Sequence, residues 1–154
     1  MNVRPLRPDE ADRLLAAGLG LARLPRSDGS FYLVAWEGDA PLGHAHLALT
    51  DPPELQDVEV LPAHRRRGVA TALTRAAERE AAARGHTMMT LTVSVENEAA
   101  QATYRALGYR DSGRPPQRVR GTVEIRSGPL AVDDTLLTWQ RELATSDRDA
   151  VVEG

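Results

Sequence analysis

Residues 62–73 read Pro-Ala-His-Arg-Arg-Arg-Gly-Val-Ala-Thr-Ala-Leu, and their types and spacing suit the binding of a phosphate. A strand-like run, Asp57-Val58-Glu59-Val60-Leu61, leads in; a run of helical period leads out and continues to Arg84. The segment predicts strand, proline-marked turn, arginine-rich loop and helix. A helix begins with unpaired backbone N–H groups and the positive end of its dipole, which together attract anions. Gly68 lets the backbone approach a ligand where a Cβ would intrude. Arg65, Arg66 and Arg67 add positive charge. The same residues also fit a basic surface turn ahead of a capped helix.

Titratable groups gather just upstream. Strand alternation over 54–61 puts Glu54, Gln56, Val58 and Val60 on one face and Leu55, Asp57, Glu59 and Leu61 on the other. His44 and His46 share a face of the preceding strand. No further metal ligand can be named for them, so no metal site is predicted. Segment 110–126 carries Arg110, Arg114, Arg118, Arg120 and Arg126 against Asp111 and Glu124, and reads as a solvated basic stretch.

The elements that must position these groups follow from pattern. Val3–Leu6 is a short first strand, with Pro5 favouring an edge. Pro8-Asp9-Glu10-Ala11 starts a helix with acidic residues in its first turn, and Leu21 to Arg26 is a second, shorter helical or irregular piece. Strands 31–36, 41–50 and 54–61 form an antiparallel meander with turns at 37–39 and 51–53. The main helix spans about Arg67 to Ala83, with Val69, Ala72, Leu73, Ala76 and Ala77 inward and Arg75, Glu78 and Arg79 outward. Gly85 suits its C-terminal end. Strand 87–95 completes a βαβ unit, whose loop lies where open α/β sheets bind ligands. Asn97 caps a helix over 98–107, which Gly108 ends. A weak strand over 118–126, a turn over 127–134 and a final strand over 135–143 follow. Residues 144–154 read as a polar tail.

At 154 residues the chain has the size of one domain, assigned here to residues 1–143. A net charge of -3 gives no support to nucleic-acid binding. The absence of cysteine excludes disulfides and a thiol nucleophile. No apolar run reaches membrane-spanning length and no signal-type segment is present, so a cytoplasmic protein is expected. All 19 basic residues are arginine, in keeping with a GC-rich coding sequence.

Two motifs together point to a family. Arg65-Arg66-Arg67-Gly68-Val69-Ala70 resembles motif A of the Gcn5-related N-acetyltransferases (GNAT), Gln/Arg-x-x-Gly-x-Gly/Ala. Asn97 through Tyr109 resembles motif B, Asn-x-x-Ala-x-x-x-Tyr-x-x-x-Gly-Tyr/Phe, matching at every named position. The order and separation of the two are those of the family. The resemblance implies an α/β (α+β) fold with a mixed, mostly antiparallel sheet of six to seven strands. It also implies a central βαβ unit, a splay between strands 54–61 and 87–95, and helices on both faces. The first 30 residues are short for the family's usual pair of helices, so the acceptor site is where the likeness is weakest.

The resemblance further implies acetyl-coenzyme A as co-substrate and direct transfer to a primary amine, a small molecule or a peptide N-terminus, in a ternary complex. A non-catalytic acyl-coenzyme A sensor of the same fold is the alternative, and a homodimer is compatible with either. The loop Arg65–Ala70 and the N–H groups of Val69, Ala70 and Thr71 would cradle the pyrophosphate. The backbone of Val58 and Val60, on a strand that carries a bulge in the family, would pair with the pantetheine arm. The Val60 N–H would meet the thioester carbonyl, and Asn97 would lie near the pantetheine. Tyr104 is the candidate acid for the leaving thiolate. Glu54 is the candidate base; Glu59 and Asp57 compete from the opposite face, unless a bulge shifts the parity, and an ordered water is a further competitor. His44 and His46 either line the acceptor cleft or occupy a partly exposed strand face. The basic segment 110–126, if folded over that cleft, would favour an acidic amine.

Overall fold

The computed structural model describes residues 1–23, 28–125 and 128–143. The predicted tail 144–154 and the end of the predicted second helical piece therefore lie outside the described residues. The fold is mixed α/β, with eight mostly antiparallel strands and three α-helices among the described residues. It divides into two compact units, Met1–Met89 with Glu142 and Leu143, and Thr90–Arg141.

The first unit is built on β1 (Asn2–Pro5), β2 (Phe31–Glu37), β3 (Ala40–Ala48) and β4 (Glu54–Val60), paired in that order and antiparallel throughout. The β2–β3 turn works because Gly38 takes a positive φ of 60°. A single-turn 3-10 helix, Pro8–Glu10, leads into α1 (Ala11–Ala16). Leu14 of α1 and Leu19 pack with Val34 and Trp36 of β2. The alternate residues Leu33, Ala35, Ala45, Leu47 and Leu55 are buried from the other side, where α2 (Val69–Ala83) meets β2, β3 and β4.

The inward stripe of α2 is Val69, Leu73, Ala76, Ala77, Ala81 and Ala82, and its small side chains let helix and sheet approach closely. Glu78, expected to face out, is buried instead. Arg75 one turn earlier reaches it at 2.8 Å and covers its charge. Gly85, at φ 91°, ends the helix as predicted. Leu21 to Arg23 forms a turn rather than a helix.

In the second unit β5 (Met88–Ser94) runs on from the first, followed by α3 (Glu98–Ala106), β6 (Arg110–Asp111), β7 (Gln117–Ile125) and β8 (Gly128–Glu142). The order is β5-β8-β6, with β7 pairing β8 from the side. The turn predicted over 127–134 is wrong. Gly128 pairs Ile125 and the ladder continues to Gln117↔Leu136, so residues 128–134 are strand. The glycine, proline and paired aspartates there mimic a turn in sequence, but antiparallel pairing lays them along β7. The two-residue β6 is the strand beyond the six or seven expected.

Candidate active site

Between β4 and α2 the chain makes one 3-10 turn, Pro62–His64, fixed by the His64 N–H bond to the Leu61 carbonyl at 2.9 Å. Arg66 then enters the left-handed region at φ 64° and Gly68 follows at φ 79°. Gly68 is the N-cap of α2, and no side chain caps it. The first helical bond is Ala72 N–H to the Gly68 carbonyl at 3.0 Å. The N–H groups of Val69, Ala70 and Thr71 thus precede the helical ladder and lack intrahelical acceptors. A Cβ at Gly68 would meet nothing within 4 Å, so glycine is required there by φ rather than by space.

Two of the three arginines are occupied. Arg65 Nε donates to the Val60 carbonyl at 3.2 Å. Arg67 pairs with Glu37 at 2.7 Å and donates to His64 Nδ1 at 2.9 Å. The Arg67 guanidinium holds the Glu37 carboxyl below the usual carboxylate range, on an exposed surface where such a pair stabilises little.

β4 carries a bulge. His44 lies opposite Glu59 and His46 opposite Gln56, so two steps on β3 match three on β4. Asp57 absorbs the extra residue at φ 49°. The bulge overturns the strict alternation predicted for 54–61. Gln56 Nε2 bonds Glu54 at 3.2 Å and Gln56 Oε1 lies 3.1 Å from His46 Nδ1, so these three share a face. Asp57 and Glu59 join that face: one ligand atom each from His44, Asp57 and Glu59 lie within 4.8 Å of one another. Beyond the bulge, Leu61 N–H bonds the Leu42 carbonyl at 2.9 Å. The Val60 N–H, one residue earlier, therefore points away from β3.

His44 and His46 are fully buried, so neither lies on a partly exposed strand face. His44 Nε2 sits 2.6 Å from the Gly20 carbonyl. The Tyr32 ring packs at 4.9 Å from the His44 ring and 4.8 Å from the His46 ring. Its hydroxyl donates to Asp57 Oδ2 at 2.5 Å and accepts from the Arg23 N–H at 3.0 Å. Burial, then the bond to Asp57, push the Tyr32 phenol well above its ordinary pKa. It remains a protonated donor that fixes the Asp57 carboxylate.

In the second unit Asn97 Oδ1 accepts from the Ala100 N–H at 3.0 Å, the capping role predicted from sequence. Tyr104 is half-buried on α3 and meets the Tyr109 ring edge-on at 6.0 Å. Burial pushes its phenol up to about 12. Of the basic segment, Arg118 and Arg120 pair with Asp133 at 2.6 and 3.3 Å. Arg110 is spent on the carbonyls of Arg105 and Tyr109. Arg126 lies outside the described residues.

Tyr32 and Gly43 were missed in the sequence. Tyr32 looked like one aromatic in an apolar strand. Gly43 faces Val60, and a Cβ there would come within 2.6 Å of the Glu59 carbonyl oxygen. A glycine inside a strand is the signal for such an approach.

A left-handed glycine opening a helix, just past a bulged strand, leaves free backbone donors of a kind that suits an anion. The model of the acetyltransferase (GNAT) family matches residues 4–109, and the chain belongs to that family. Among solved structures it is similar to the ribosomal-protein-S18-alanine N-acetyltransferase of Escherichia coli, with TM-score 0.69 and 16% identity over 93% of this chain and 94% of that one. The spermidine/spermine N-acetyltransferase SpeG of Vibrio cholerae, solved with manganese ions, gives 0.69 and 14% over 96% and 95%. The yncA protein of Salmonella typhimurium, solved with its cofactor acetyl-CoA, gives 0.65 and 19% over 94% of each chain. At these identities the likeness is one of fold. No curated protein sequence matches.

Proposed function

We propose that this chain is an N-acetyltransferase that moves the acetyl group of acetyl-coenzyme A directly to a primary amine in a ternary complex. The observation that carries the reading is the start of α2: an uncapped, left-handed Gly68 followed by three N–H groups ahead of the helical ladder. That arrangement fits a diphosphate, because backbone donors and the helix dipole act on it together and no Cβ intrudes.

Acetyl-coenzyme A supplies an activated acetyl group. Val69, Ala70 and Thr71 hold its diphosphate through backbone N–H groups, with the loop Arg65–Gly68 shaping the approach. The backbone of Val58 and Val60 holds the pantetheine arm, and the Val60 N–H, which points away from β3, polarises the carbonyl. The Asn97 amide adds a contact to the same arm. Tyr104 donates a proton to the departing thiolate, a role that suits a phenol kept protonated by burial. The β4 carboxylates accept the proton of the amine. Glu54 is the candidate from sequence, and the bulge brings Asp57 and Glu59 to its side. Residues 1–143 act as one domain in this scheme, in the cytoplasm, where acetyl-coenzyme A is at hand.

A coenzyme A-release assay over a panel of primary amines, run beside an acetyl-coenzyme A titration, tests the reading. Tight acetyl-coenzyme A binding with no release on any amine would instead make the chain a non-catalytic sensor. The presence of Tyr104 and of the β4 carboxylates favours the enzyme.

A further inference from the structure

We infer that Tyr32 is a positioning residue for the β4 bulge: its hydroxyl holds Asp57 in the left-handed conformation that sets the direction of the Val60 N–H. The inference rests on the transferase reading for its purpose, since it gives the proposed thioester contact a cause in the fold. Its geometry lies wholly within the first unit.

The bulge needs an anchor that backbone pairing does not supply. Gly43 lies opposite Val60, His44 opposite Glu59 and His46 opposite Gln56. Neither Asp57 nor Val58 has a partner in that register. Asp57 nevertheless adopts φ 49°, a region that a β-carbon makes costly and that aspartate only tolerates. Opposite Val60, β3 presents Gly43, which has no side chain to steer β4. A Cβ at Gly43 would stand 2.6 Å from the Glu59 carbonyl oxygen, so the two backbones already touch there.

The anchor is a side chain from two strands away. Tyr32 of β2 lies opposite His46 of β3, and its ring packs against the rings of His44 and His46 at 4.9 and 4.8 Å. All three side chains are buried. The Tyr32 hydroxyl accepts from the Arg23 N–H at 3.0 Å and donates to Asp57 Oδ2 at 2.5 Å. A close-packed phenol cannot follow a moving carboxylate, so the carboxylate must come to the phenol. A hydrogen bond to a charged acceptor is about twice as strong as a neutral one, enough to offset a left-handed backbone. Burial, and then Asp57 itself, keep the phenol protonated, so the bond does not lapse across the working pH range. A one-residue slip in a strand turns every later group to the other face. Releasing Asp57 would therefore redirect the Val60 N–H, although Tyr32 touches no reacting atom.

The test separates backbone from charge. Asp57→Ala and Asp57→Gly both delete the carboxylate, but only glycine enters the left-handed region freely. Two quantities are measured: backbone ¹³C shifts of residues 56–60 in cofactor-free protein, which report the sign of φ, and acetyl-coenzyme A affinity by calorimetry. Tyr32→Phe and Asp57→Ala should each move the residue 57 shifts out of the left-handed range and weaken acetyl-coenzyme A binding about tenfold, the scale of the left-handed penalty. Asp57→Gly should stay left-handed and bind about tenfold more tightly than Asp57→Ala. Added to Tyr32→Phe, it should recover what that substitution lost. Equal measurable affinities for the alanine and glycine variants, or left-handed shifts that survive Tyr32→Phe, would overturn the clamp. So would a double variant that folds or binds no better than Tyr32→Phe alone. Coenzyme A release by the wild type, with residue 57 indifferent to Tyr32→Phe, would refute the clamp and leave the transferase. Shifts that follow the expected pattern, with no acetyl-coenzyme A binding by any of these proteins, would keep the clamp and refute the transferase.

Discussion

At the scale of single residues, the protonation states follow from environment. Tyr104 is raised to about 12 by burial and so stays an acid across the working range. Its removal as Tyr104→Phe should lower kcat by about a hundredfold, the lower end for a positioned proton donor, with acetyl-coenzyme A affinity unchanged. Any alkaline loss of wild-type activity well below pH 12 must belong to another group. A second titration bears on stability. Arg4 grips Glu10 at 2.8 and 2.6 Å and the Arg7 N–H adds a bond at 2.9 Å, so the Glu10 carboxyl falls from 4.5 to about 2. A lowered carboxylate stabilises the fold above its unfolded pKa and ceases to as pH falls through the folded one. Acid unfolding of the wild type should therefore draw on Glu10 between pH 4.5 and about 2. Glu10→Gln should flatten that part of the stability profile, measured by denaturant titration at each pH.

Among the elements, the β3–β4 pair matters most, because its bulge decides which side chains share a face. Gly43→Ala would drive a Cβ to within 2.6 Å of the Glu59 carbonyl, which is backbone and has nowhere to go. A loss of about 1–3 kcal/mol is expected from such overpacking, read as a fall in denaturation midpoint, together with a rise in acceptor KM. This is also where the sequence was least legible. Alternation assigned Asp57 and Glu59 to the wrong face, because a single left-handed residue shifts the count and aspartate there leaves no compositional mark. The meander, α2, α3 and the Gly68 and Asn97 caps could be read, since each rests on local period and local capping. The hairpin of β7 and β8 could not. Its register depends on pairing across the chain, and Gly128, Pro129, Asp133 and Asp134 carry turn chemistry inside a strand.

For the whole molecule, the proposed co-substrate is expected to act as a stabiliser as well as a reactant. Acetyl-coenzyme A at about a hundred times its Kd should raise the unfolding free energy by about 2.7 kcal/mol, seen as a higher Tm. None of the described helices is long and apolar enough to cross a membrane. The family is evident because motifs A and B are short, local and placed at helix starts. The cluster of Tyr32, His44, Asp57 and Glu59 was not, because it joins β2, β3, β4 and the turn near Gly20, and only the fold brings these together.

The central claim is that the start of α2 binds a diphosphate, and a matched pair of substitutions tests it. Asn and Asp both tolerate the left-handed conformation of Gly68, are nearly the same size, and differ in charge. Acetyl-coenzyme A affinity is to be measured by calorimetry for Gly68→Asn and Gly68→Asp. The account predicts that the aspartate variant binds at least about tenfold more weakly than the asparagine variant, as expected for an anion set against a phosphate. Equal affinities would contradict it.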